Sequence, residues 1–243
     1  MNVTSFFIFI IFAVSTARAA ISIDTSVARV TGIPNNLVEI TTASFTPAAN
    51  SLLIVIINAD SVGAAKIDVS TRDSRSHTWI QKVRSDYSTS AIDGHVSIWY
   101  TLVETSAAMT VSVKRNSLNG SSNRLSFKTY IIAGHDPHVP FGASGSGGST
   151  TNNLTPTVYT STVNNSRGIG GYTDWDASGL PSSTDVEDAA TSASLSMMSL
   201  YKSADTATSG TGVTMNFDGF GSGALKMNWA AVEIRPSEAT NAN

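Results

Sequence analysis

The chain has no cysteine among its 243 residues. That excludes disulfide staples, thiolate nucleophiles and cysteine metal sites, so an apolar core must hold the fold together. Charge is also sparse. Asp, Glu, Lys and Arg make up 14% of the residues, and the formal net charge is −3. With no basic stripe to neutralise phosphates, nucleic acid is not an expected partner. The single adjacent basic pair, Lys114-Arg115, falls on what reads as a polar strand end. No sustained heptad, internal repeat or long helical stripe is present. There is no G-x-S-x-G elbow for a serine nucleophile. Phe217–Gly223 is glycine-rich, but no helical pattern follows it to make a phosphate cradle, so it reads as a hairpin turn.

Long apolar runs are scarce too, and the longest opens the chain. Phe6–Val14 is nine consecutive apolar residues, followed by Ala17-Arg18-Ala19. Nine residues are too few to span a bilayer, which needs about 20. They suit the core of a secretory signal, with an A-x-A cleavage site before Ala20. The n-region Met1–Ser5 carries no Lys or Arg, which is unusual for a signal. The alternative is a retained apolar segment, such as a buried strand, since Phe and Ile favour strands. The expected organisation is therefore 1–19 as signal peptide or retained segment, 20–236 as one β-sandwich domain, and 237–243 as a loose tail.

What remains is patterned with period two. Apolar residues make up 41% of the chain, enough to bury a real core. Strand patterns recur at Val38–Thr42, Lys66–Ser70, Val96–Leu102, Met109–Val113, Leu125–Ile132, Thr157–Val163, Leu195–Tyr201, Val213–Phe217 and Met227–Ile234. Ser51–Asn58 is a continuous apolar run rich in Val and Ile, which fits a central strand buried on both faces. Trp79 and Trp99 sit in strand patterns. Trp99 is out of phase with Ile98 and Tyr100 and should face away from them. Roughly ten to twelve strands with frequent turns predict an all-β fold, a two-sheet antiparallel β-sandwich of jelly-roll or Greek-key type. A closed barrel is the alternative. Gly142–Asn153 is the one low-complexity segment and reads as a linker or long loop.

Several phrases in order carry a family resemblance. Phe45–Leu53 (FTPAANSLL) precedes an apolar strand; Asp73–Trp79 (DSRSHTW), Val96–Tyr100 (VSIWY) and a closing Trp229–Ile234 (WAAVEI) follow. This order resembles a β-sandwich module recurring in secreted bacterial proteins and in phage structural or tail-associated proteins. Arg75-Ser76 departs from the pattern, which usually carries a turn glycine between Asp73 and Thr78, so a longer or reshaped turn is expected. The resemblance implies a fold and an exposed setting, and it transfers no catalytic motif.

Candidate contact residues lie in Tyr172–Gly179. Trp175 offers an apolar face for a sugar ring, while Asp174 and Asp176 can accept hydroxyl hydrogen bonds, with Tyr172 beside them. The same Asp-x-Asp spacing suits calcium, and a core Trp with turn-capping Asp residues is the plain alternative. His135, Asp136 and His138 are the densest metal-ligating group, although a turn with solvated histidines explains them equally and no metal is assigned. Asp185, Glu187 and Asp188 read as a solvated acidic loop. Glycosylation sequons occur at Asn119, Asn153 and Asn164. The sequence thus points to a non-enzymatic, secreted or surface-exposed structural or adhesive protein with no cofactor. Its partners would be other copies or subunits of a cell-surface or virion assembly, and glycans. A secreted carbohydrate-binding module and, behind it, a secreted glycan-active enzyme are the alternatives.

Overall fold

A computed structural model describes residues 19–32, 39–59, 69–86, 94–116, 124–149, 155–174, 183–192, 195–217 and 227–238. All of its regular structure is β, in sixteen strands paired antiparallel. Among the described residues there is no helix, hence none long and apolar enough to cross a membrane. The strand count exceeds the ten to twelve expected: Ser22–Asp24 and Val30–Gly32 are too short to show a pattern, and Ile80–Asp86, Phe141–Ser149, Arg167–Asp174 and Val186–Ser192 do not alternate cleanly.

The central sheet has six strands. Its order is β1 (Ser22–Asp24), β9 (Leu125–Ala133), β4 (Ser51–Ala59), β7 (His95–Val103) and β6 (Ile80–Asp86), with β2 (Val30–Gly32) also paired to β9. All nine residues of β4 are buried, as the unbroken apolar run requires. Alternation sends its side chains into two cores. Leu52, Ile54 and Ile56 join Val96, Ile98, Tyr130 and Ile132 on one face. Leu53, Val55 and Ile57 join Val111, Val113, Leu125 and Phe127 on the other. Each fully buried Leu or Ile contributes about 1.5–3 kcal/mol, so this strand anchors both layers. Trp99 packs on the second core while Ile98 and Tyr100 serve the first, as their phase implied.

The first face is covered by a five-stranded sheet of order β10 (Phe141–Ser149), β16 (Met227–Ile234), β12 (Arg167–Asp174), β14 (Leu195–Tyr201) and β13 (Val186–Ser192). The second is covered by β3 (Glu39–Thr41), β8 (Val111–Arg115) and β5 (Val69–Asp73). A third core forms where the outer face of the five-stranded sheet meets the pair β11 (Thr157–Thr160) and β15 (Gly212–Thr214). Tyr172, Met198, Met215, Phe217 and Met227 fill it. Arg115, expected at a polar strand end, is fully buried on β8, whereas Lys114 next to it is exposed.

Gly142–Asn153 is not a loop over its described part, because Phe141–Ser149 is a nine-residue strand paired to β16 from Phe141↔Ile234 to Ser149↔Met227. Its glycines are steric. A Cβ on Gly145 would collide with the Val158 carbonyl oxygen of β11, and one on Gly147 would come within 2.8 Å of the Trp229 ring. Glycine there lets a neighbouring strand and an indole lie directly on this one. The acidic loop is also corrected. Glu187 and Asp188 lie on β13, and Asp185 is buried, paired to Lys202 at 2.5 Å and accepting from the Asn216 amide.

Candidate functional site

Several titratable groups are tied into bonds within and between the layers. His95, buried on β7, places Nδ1 2.6 Å from Asp86 Oδ1 and Nε2 2.8 Å from Ser97 Oγ. The Trp99 indole donates to the same Ser97 oxygen at 3.0 Å. Donor capacity fixes the order: Trp99 to Ser97, Ser97 to His95, His95 to Asp86, with Arg84 also on Asp86 at 2.6 Å. Burial opposes the charged form of Asp86, but the His95 and Arg84 hydrogen bonds win and hold its carboxyl down at about 2. Burial pushes the His95 imidazole below its ordinary value against the pull of Asp86, with Arg84 and Arg115 adding to the depression. The array has the order of a serine–histidine–carboxylate triad, yet His95 and Ser97 have no exposed surface for a substrate to reach.

A second cluster ties the chain's first strands to the five-stranded sheet. Arg29 pairs with the Asp188 carboxylate and donates to the Asp188 carbonyl at 2.6 Å, Ser199 Oγ at 2.8 Å and Ser126 Oγ at 3.0 Å. Lys128 adds an ion pair to Asp188 at 2.9 Å. Asn58 Nδ2 donates to the Tyr172 carbonyl at 2.8 Å, and Thr173 Oγ1 donates to the His95 carbonyl at 2.9 Å. Glu233, fully buried, accepts from the Ala143 and Thr162 amides and the Thr162 hydroxyl. Burial opposes its ionised form, but the Thr162 and Ala143 hydrogen bonds outweigh that and keep its carboxyl below the ordinary range. Such satisfied networks fix how layers meet.

Of the proposed contact residues, Tyr172 and Asp174 lie on β12 and are fully buried, with the Tyr172 ring edge-on to Phe217 at 5.4 Å. Trp175 and Asp176 lie outside the described residues, as do Asn119, Asn153 and residues 218–223 of the glycine-rich turn. Residues 1–18 of the opening segment lie outside them as well. Asn164 is exposed in a turn, where its Oδ1 accepts from the Ser209 amide, whereas Ser166 of its sequon is buried. Ser237, assigned to the tail, donates to the Gly134 carbonyl at 2.8 Å.

His135, Asp136 and His138 form a structured turn after β9. Asp136 Oδ1 accepts from the His138 and Val139 amides at 2.9 Å each. Burial opposes ionisation of Asp136, but those two amides hold its carboxyl below the ordinary range. His135 is buried, which pushes its imidazole down despite the nearby Ile132 carbonyl. Among the described residues, no three His, Asp or Glu side chains gather as a metal site.

One open surface feature among the described residues is a trough beside this turn. One lobe, of about 320 Å³, is lined by His77, Ile80, Tyr100, Leu102, His138 and Pro140 among others. The second, of about 260 Å³, shares Leu102 and His138 with it and adds Asn50, Glu104, His135 and Pro137. Its rim is fixed at both ends. Asp73 accepts from the Trp79 indole at 2.6 Å and lies 3.0 Å from His77 Nδ1. Across the trough, Asp136 holds the turn, and the Arg235 amide donates to the Pro140 carbonyl at 2.9 Å. Sequence reading missed the trough because its floor continues a core face: Val96, Ile98 and Tyr100 pack inward, while Leu102 in the same phase runs past the core and is 38% exposed.

No family model matches the chain, and no curated protein or solved structure is found similar to it.

Proposed function

We propose that this chain is a non-enzymatic, extracellular structural or adhesive protein: an exposed β-sandwich subunit, of jelly-roll or Greek-key type, in a cell-surface or virion assembly. The observation that carries the reading is where the polar groups are used. The half-buried carboxylates Asp86 and Asp188, the fully buried Glu233 and the buried His95 are committed to bonds within and between layers. A general acid or base must instead reach substrate. The export-type Phe6–Val14 segment and the resemblance to secreted and phage-associated modules support the exposed setting.

Intact mass of the native protein separates the two settings. A chain starting at Ala20 favours a secreted or cell-surface protein, and one starting at Met1 favours a virion part that keeps its apolar segment. Fractionation tests the shared claim. Recovery with the cell surface, medium or particles supports it, and recovery as a free cytosolic protein contradicts it.

Carbohydrate binding is the second reading, favoured by the trough and by the Trp175 segment. Binding lost in Trp175→Ala would assign the contact to Trp175 and Asp176, since the other two expected contact residues, Tyr172 and Asp174, are fully buried.

A further inference from the structure

We infer that the trough between the β6–β7 surface and the 135–140 turn is a binding site for an uncharged saccharide, with two adjoining subsites. The inference deepens the carbohydrate reading and rests on the exposed setting proposed above. Four observations lead to it.

Exposed apolar surface is concentrated there. Large apolar side chains more than a third exposed are four among the described residues, and Ile80, Leu102 and Val139 are three of them, on the trough or its turn. Hydrogen-bonding side chains gather there too, since His77, His135 and His138 line it and the chain has only four histidines. The first lobe carries no Asp, Glu, Lys or Arg, which disfavours a charged ligand. The rim is held in advance by Asp73 and Asp136, so binding need not order it.

These features match one ligand chemistry. A sugar ring has a C–H face that is apolar and hydroxyls that both donate and accept. Imidazole and threonine hydroxyl groups also do both. Leu102, Ile80 and the half-buried Tyr100 would take the ring face, and His77, Thr78 and His138 would bond its edge. The second lobe shares Leu102 and His138 and adds Glu104 and Asn50, an acceptor and a two-way amide for the next ring. The first lobe, at about 320 Å³, reaches the lower end of small-ligand sites, about 300 Å³, and the second adjoins it with about 260 Å³.

The full chain should be titrated by calorimetry with neutral hexasaccharides: cellohexaose, maltohexaose, xylohexaose, mannohexaose and chitohexaose. We expect at least one to bind with a Kd of about 1 mM or tighter. His138→Ala and Leu102→Glu should each weaken that binding about tenfold or more. Val186→Glu, an exposed apolar site on the five-stranded sheet, should leave it unchanged. Thermal melts of each variant separate lost binding from lost folding. No binding to any of the five overturns the proposal, as does binding that survives both trough variants. Binding lost only in Trp175→Ala also overturns it and moves the contact to that segment. Binding of an extended neutral peptide, such as a Ser-Thr-Gly hexapeptide, in preference to every saccharide overturns it as well. Fractionation tests the exposed setting separately, so the two failures are distinguishable.

Discussion

At residue scale, Ser76 shows what a sequence departure does. The resembling pattern carries glycine at this turn, and Ser76 occupies the left-handed region with φ of 62°. Asp73 closes the turn: its Oδ1 accepts the Arg75 amide and its carbonyl accepts from Ser76. A side chain there costs about 1–2 kcal/mol, partly offset by the entropy glycine would lose on folding. Ser76→Gly should therefore stabilise the protein by about 0.5–1 kcal/mol, read as a higher urea midpoint with an unchanged m-value. A lower midpoint would contradict the account of this turn.

The buried histidines carry the second residue-scale prediction. Burial holds the imidazoles of His95 and His135 below their ordinary value of 6.5. As pH falls through that value, the unfolded chain takes up those protons before the native one does. Stability is complete above about pH 6.5 and declines below it. His95→Asn retains a donor for Asp86 and removes the titration. It should lower stability at neutral pH but flatten the fall between about pH 6.5 and 5, leaving the share due to His135. Thermal melts across that window check this, and an unchanged slope would remove His95 from the account. Asp86 adds its own loss only in stronger acid, since its carboxyl is held at about 2.

At element scale, legibility followed periodicity. β4, β7, β9, β14 and β16 alternate or run apolar over seven to nine residues, which is the strongest strand signal a sequence gives. β10 and β12 carry glycine where side chains would alternate, which breaks the strand pattern, and β10 read as a linker or long loop. The reason is tertiary: another element occupies the space a Cβ would need. Gly145→Ala should cost about 2 kcal/mol or more, because its clash is with the fixed Val158 carbonyl rather than a movable side chain. Chemical denaturation measures it, and a neutral substitution would mean that β11 lies farther from β10. β13 was unreadable for a different reason. Its acidic residues look solvated in sequence, and only the fold brings Arg29 and Lys128 to Asp188.

At the scale of the whole molecule, sheets stacked on both faces of a central sheet explain how a chain without disulfides holds together. Three separate apolar cores share their walls, and polar networks join the central sheet to the five-stranded one. The all-β class was legible because alternation is a local property. The number of sheets was not, since β3, β5 and β8 differ from the central strands only in which face they cover. The candidate site was legible only in part. The sequence singled out His135, Asp136 and His138 as a group, but not that their turn faces Ile80 and Leu102 from distant strands. The central claim is that this stack is a subunit of a larger surface assembly. Light scattering coupled to size exclusion, on the protein with its native N-terminus at neutral pH, tests it most directly. The account predicts oligomers or larger particles. A monodisperse monomer that neither self-associates nor joins particles or filaments would contradict it.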